Sequence, residues 1–94
     1  MPHFVLHCIN KPDSLDLRMA TRPAHVEYLK GHGEAVRLAG PYMDDAGDMR
    51  GSLLIIEAED LAAAQAFAAA DPYARAGLFA RVEVRAFRAG LGKL

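Results

Sequence analysis

The sequence predicts an α+β fold whose elements run β-α-β-β-α-β. Three observations lead there: four short β-rich runs, two helical segments placed between them, and an apolar run near residue 54 that demands cover on both faces. The chain has 94 residues, the size of one domain spanning 1–94, and 52% of them are hydrophobic, enough for a packed core.

His3–Ile9 is short, apolar and β-rich, and it ends at the turn formers Asn10, Pro12 and Asp13. Asp13 or Ser14 is placed to cap a helix, because a side-chain oxygen there can accept from the free N–H groups of the first turn. Leu15 to Lys30 reads as helix. Pro23 predicts a break near Arg22, with a loose turn before it and the main helix starting at the proline. Gly31 and Gly33 stop that helix.

Ala35–Pro41 reads as a weaker second strand and Met43–Arg50, rich in Asp and Gly, as a hairpin loop. Gly51–Ala58 is the strongest strand. Asp60 caps an alanine-rich helix over Leu61–Ala70, and such a helix can lie close to a sheet because its side chains are short. Asp71-Pro72 ends it and starts a short turn through Gly77. Leu78–Phe87 closes the chain as a strand, with Val82, Val84 and Ala86 alternating against Arg81, Glu83, Arg85 and Phe87.

This order is the split βαβ, or ferredoxin-like, motif: a four-stranded antiparallel sheet with both helices on one face. Leu53 and Ile55 alternate with Leu54 and Ile56, so the open face of the sheet is apolar as well. An apolar open face is an interaction surface, and a twofold homodimer is its simplest cover.

The net charge is -1, from 11 basic and 12 acidic side chains. The arginines are spread along the chain, which argues against nucleic acid as a partner, since phosphate binding needs a clustered basic surface. No apolar run approaches the ~20 residues that span a bilayer, so no membrane role is expected. Met-Pro-His-Phe does not open like a secretory leader. Cys8 is alone, which fits a reducing cytoplasm, and it reads as a small buried strand residue.

Several residues are candidates for chemistry. Arg18, Arg22, His25, Leu29 and His32 recur every three or four positions and share a stripe if the helix is continuous. Histidine exchanges protons near neutral pH, but periodicity alone equally describes a surface histidine on a solvated helix. Asp71 is placed either to serve a site or simply to cap the turn at Pro72-Tyr73, and a carboxylate has acceptor capacity for both. Gly40-Pro41 and Gly51-Ser52 flank the hairpin; they fit turn geometry or a ligand close to the backbone, with Ser52 offering a hydroxyl. His3 and His7 share a strand face with Val5 and Ile9, but they lie about 13 Å apart and cannot share one metal. No phosphate loop, Cys-x-x-Cys or serine elbow is present, so no cofactor and no metal is expected.

Arg22-Pro23-Ala24-His25 with Tyr28-Leu29, then Ala39-Gly40-Pro41, Gly51-Ser52 through Glu57, and Asp71-Pro72-Tyr73 with Ala76-Gly77-Leu78-Phe79 together resemble the YciI-like (YCII-related) family. The resemblance implies a dimeric α/β barrel formed by two sheets packed face to face. It also implies a histidine–aspartate pair in a pocket, at His25 and Asp71. The expected function is proton transfer on a small organic molecule, an isomerisation or elimination. His25 would be the acid or base, Asp71 its orienting partner, Arg22 or Arg18 the counter-charge to a developing anion, and Gly40, Pro41, Ser52 and Tyr73 further substrate contacts. The alternatives are a non-catalytic module that binds a small metabolite in the same pocket, and a purely structural dimer.

Overall fold

The computed structural model describes residues 1–94. Its elements are β1 (His3–Asn10), α1 (Leu15–Gly31), a 3-10 turn (Gly33–Ala35), β2 (Val36–Met43), β3 (Met49–Glu57), α2 (Leu61–Ala70), α3 (Pro72–Arg75) and β4 (Phe79–Phe87). The strands form one antiparallel sheet in the order β2-β3-β1-β4. This is the ferredoxin-like arrangement expected from the element order: each crossover through a helix skips one strand position, which puts β1 and β3 in the centre. No helix is long and apolar enough to cross a membrane.

Alternation along the central strands sorts the side chains. Phe4, Leu6 and Cys8 of β1 and Leu54 and Ile56 of β3 face the helices and form the buried core with Ala58, Ala64 and Ala68. The short alanine side chains let α2 lie close over the sheet. Val5, Ile9, Leu53 and Ile55 occupy the opposite face together with His3 and His7, in the registers Val5↔Ile55 and His7↔Leu53. That second face is apolar in its middle, and Leu38 beside it on β2 is 52% exposed.

The structure corrects the sequence-based expectation for α1. The helix runs unbroken from Leu15 to Gly31 with Pro23 inside it. Proline forfeits one hydrogen bond and crowds the carbonyl four residues back, here that of Met19. Met19 and Pro23 are both exposed, so the freed carbonyl can be hydrated rather than orphaned. The expected cap is also absent. Ser14 occupies the cap position, but its hydroxyl donates backwards to the Lys11 carbonyl at 2.5 Å instead of accepting from the first turn.

The hairpin is tighter than the expected Met43–Arg50 loop, because Met43 pairs with Met49. Asp44 closes it by accepting from the backbone of Ala46 and Asp48, each at 2.9 Å, and from Arg50 Nε at 2.7 Å. Asp60 caps α2 as expected, accepting from the Ala63 amide at 2.8 Å.

Gly51 and Cys8, with exposed Gly31 as the contrast, yield tests. A Cβ on Gly51 would strike the Cys8 carbonyl and come within 2.9 Å of the Tyr42 ring, so Gly51→Ala should cost about 2 kcal/mol in urea unfolding. Gly31→Ala, where an added Cβ meets nothing within 4 Å, should leave stability unchanged or raise it by up to about 1 kcal/mol. Cys8 is 3% exposed, and burial above all, with Asp71 adding to it, pushes its thiol up to about 12. Since only the thiolate attacks, iodoacetamide should spare Cys8 in the native protein at mildly alkaline pH and label it once urea unfolds the chain. Equal labelling rates in both states would contradict this placement.

Candidate active site

The two buried residues of α1 are polar ones, Arg18 and His25. They are seven positions apart, two turns of helix, and so lie on one face. Arg22 sits between them at the solvent edge. An unbroken α1 is what keeps all three in line.

His25 meets Asp71 across 46 residues of sequence. Its Nδ1 lies 2.9 Å from one carboxylate oxygen and 3.0 Å from the other. A carboxylate can only accept, so Nδ1 carries the proton and, in the neutral ring, Nε2 holds the lone pair. Asp71 is 4% exposed and caps α3 as well, accepting from the Tyr73 amide at 2.9 Å. The local reading of Asp71 as a cap and its pairing with His25 are therefore one geometry. Its φ of -59° and ψ of 131° are the extended conformation that Pro72 imposes on the residue before it.

Tyr73, fully buried on α3, joins the site together. The His25 ring stacks on it at 4.0 Å with 19° between planes, and the Arg18 guanidinium lies 4.6 Å from its centroid. Arg18 donates to Asn10 Oδ1 at 3.1 Å and to Ser52 Oγ at 2.8 Å, while its Nε has no partner. No carboxylate forms an ion pair with it. Burial lowers its pKa from the ordinary arginine value, opposed by the fields of Tyr73, Asp71 and Cys8, and Arg22 adds to the lowering. Arginine remains a cation even so.

These side chains open onto a cleft of about 130 Å³ between α1, α3 and the β2–β3 edge of the sheet. Arg18, Arg22, His25, Ser52 and Tyr73 line it, as do Gly40 and Pro41 of β2. Asp71 does not; it stands behind His25. Gly40 contributes backbone only, and a Cβ there meets nothing within 4 Å, so nothing in the cleft demands glycine. The apolar wall is made by Val26, Leu29, Ala39, Met49 and Leu54; Leu29 belongs to the helical stripe and Ala39 and Leu54 to the family motifs, while Val26 and Met49 were not singled out from the sequence. Val26 follows Arg22 by four residues, a spacing that could have revealed it. Asn10, read only as a turn former, proves to be a partner of Arg18.

The remaining histidines lie elsewhere. His32 is turned away from the cleft, where its Nδ1 bonds the Tyr28 carbonyl at 2.8 Å and its ring packs on Phe67. His7 meets the Tyr42 hydroxyl at 2.7 Å on the opposite face of the sheet, and His3 lies 3.5 Å from Glu57. No group of three or more His, Cys, Asp or Glu side chains converges anywhere in the chain. The cleft thus offers one imidazole with a fixed proton on the far nitrogen, two cations and an apolar wall.

Comparison with known proteins bears on the family. The YCII-related domain profile matches residues 2–88. The protein YciI of Escherichia coli O6:H1 is 41% identical over 93 residues, covering 90% of this chain and 95% of its own. A Haemophilus influenzae protein is 36% identical, covering 92% of this chain and 96% of its own. Among solved structures, 5-chloro-2-hydroxyhydroquinone dehydrochlorinase (TftG) from Burkholderia phenoliruptrix AC1100, in complex with 2,5-dihydroxybenzoquinone, superimposes with a TM-score of 0.86 at 34% identity, over 94% of this chain and 95% of that one. An antibiotic biosynthesis monooxygenase shares the fold alone, with a TM-score of 0.58 at 18% identity over 95% of this chain and 98% of that one. With the profile spanning nearly its whole length and relatives this similar on either side, the chain belongs to the YCII-related family.

Proposed function

We propose that this protein is an enzyme that moves a proton on a small organic molecule, with His25 as general base and acid. The observation that carries this is the hold of both Asp71 oxygens on Nδ1, at 2.9 and 3.0 Å, on a ring whose other nitrogen has no partner in the chain. Asp71 fixes the tautomer, orients the ring and stabilises the imidazolium formed when Nε2 takes a proton. The electron pair left behind either expels a leaving group, an elimination, or picks up the proton at another atom, an isomerisation. The likeness to a dehydrochlorinase crystallised with a dihydroxybenzoquinone favours elimination on a hydroxylated ring. Arg18 and Arg22 give the cleft the positive field that such an intermediate needs.

The second reading, a module that holds a metabolite without turning it over, uses the same cleft. Halogenated and hydroxylated ring compounds that raise the melting temperature should be assayed for turnover. His25→Ala should lose turnover by about a hundredfold to ten-thousandfold while retaining binding. Asp71→Asn should keep the α3 cap, since asparagine caps as well as aspartate, and so stay within about 1 kcal/mol of wild-type stability while turnover falls. Asp71→Ala should cost about 1–2 kcal/mol more, because the Tyr73 amide and the His25 N–H both lose their acceptor. Binding with no turnover of any compound would favour the module.

The open face of the sheet is the surface through which two copies pair in this reading. Val5, Ile9, Leu53 and Leu38 present it, and the Arg81–Glu83 and Glu83–Arg85 ion pairs border it on β4. Sedimentation at micromolar concentration should report a dimer, and Leu38→Asp should shift it towards monomer. A stable wild-type monomer would overturn the pairing.

A further inference from the structure

The structure assigns the floor of the cleft, at Ser52 and Arg18, as a subsite for an anionic oxygen on a flat, ring-sized ligand. This rests on the proposed use of the same cleft, and it adds the ligand's charge and its anchoring point.

The first observation is an unspent proton. Ser52 is 2% exposed, and its oxygen accepts from Arg18 Nη2 at 2.8 Å. No group of the chain accepts the Ser52 hydroxyl proton. A hydroxyl polarised by a guanidinium and left without an acceptor is a ready donor to a ligand oxygen lodged in the cleft it lines.

The second observation is the charge. Arg18 is 3% exposed, its two bonded partners, Asn10 and Ser52, are neutral, and its Nε is unpartnered. No aspartate or glutamate lines the cleft. Asp71, the nearest carboxylate with a part in the site, is engaged by His25 and the Tyr73 amide. With His25 neutral, Arg18, Arg22 and Asp71 sum to a single positive charge, so one anion balances the site. A buried cation is normally paired, and here the pairing charge has to come from a ligand.

The third observation is shape. An enclosed cavity of roughly 150 Å³ holds a benzene ring, and this cleft of about 130 Å³ is open on one side. One of its walls is apolar, including Val26, Leu29, Met49 and Leu54. A planar ring fits against that wall with its anionic oxygen turned to Ser52. Exposed Arg22 at the rim adds charge, while Arg18 acts through Ser52 as a positioning residue.

Carboxylates and phenolates share this chemistry, and two probe pairs separate them. Benzoate is compared with benzamide, and 4-nitrophenolate with 4-nitroanisole, by calorimetric titration at constant ionic strength. At least one anion should bind about tenfold or more tighter than its neutral counterpart, the loss typical of one charge-assisted hydrogen bond. At a pH where free 4-nitrophenol is half ionised, a phenolate site should also raise the coloured fraction on binding. Ser52→Ala, a small change on a rigid strand, should remove most of the preference for the anion, leaving the smaller share owed to Arg22, while the neutral probe's affinity stays unchanged. Arg22→Gln, on the surface, should reduce it only in part and weaken its dependence on salt. Inorganic phosphate should not displace the ring anions beyond its ionic-strength effect. Neutral probes binding as well as anions, a preference undiminished in Ser52→Ala, or no binding of either anion at millimolar concentration would overturn the assignment. An anion preference without turnover of any ring compound would leave the subsite standing and sink the catalytic reading; turnover without such a preference would do the reverse.

Discussion

The carboxylate of Asp71 satisfies two demands from different parts of the chain at once. From its own turn it takes the Tyr73 amide at 2.9 Å, which starts α3; from α1 it takes the His25 N–H at 2.9 and 3.0 Å. Pro72 holds the backbone of Asp71 extended, so the carboxylate is presented to both. Tyr73, placed by that turn, then supplies the ring on which His25 stacks and over which Arg18 lies. The cleft therefore takes its shape from a one-turn helix that would be marginal without its cap and its proline.

The helix face of the sheet is divided by what the two long helices bring to it. α2 buries Ala64 and Ala68 and completes an apolar core with Phe4, Leu6 and Ile56. α1 buries Arg18 and His25. Taking a guanidinium out of water costs several kcal/mol even after relaxation, and neutral partners return only part of that. Hydrogen bonds to Asn10 and Ser52 and the face of Tyr73 offset the cost without cancelling a charge. An aliphatic side chain would serve packing better at position 18, so the arginine makes sense as part of a site rather than of a core.

The order of elements was legible because strand and helix periods differ sharply here: alternation marks β3 and β4, and the bounds of α2, Leu61–Ala70, follow from Asp60 before it and Asp71-Pro72 after it. The break expected in α1 did not occur, because local rules judge Pro23 without knowing that Arg18, His25 and Tyr28 tie both halves of the helix to the same body. Tyr28 joins α1 to α2, its hydroxyl donating to the Phe67 carbonyl at 2.8 Å. The stripe of Arg18, Arg22 and His25 was legible from helical spacing once that continuity is granted. The meeting of His25 with Asp71 was not, since no spacing rule brings together residues 46 positions apart; the family resemblance suggested it. Asn10, the partner of Arg18, and Met49, which lines the cleft, were invisible for the same reason, being placed by strand register rather than by any local pattern.

Strand period decides one further matter. On β1 and β3 the cleft and core use one set of alternate residues, Leu6, Cys8, Ser52 and Leu54, while Val5, His7, Leu53 and Ile55 point the other way. Ligand binding and pairing through the open face would thus draw on opposite sides of the same two strands, so a second copy laid on the open face would leave the cleft unblocked. The arrangement tolerates no slip: moving β3 by one residue would turn Ser52 away from Arg18 and put Leu53 in its place, losing the cleft's hydroxyl and leaving the guanidinium with one partner fewer. Gly51 guards that register. Its missing Cβ is what lets the Cys8 carbonyl and the Tyr42 ring close over β3 immediately beside Ser52, so the residue next to the proposed donor cannot gain a side chain without moving the backbone it packs on.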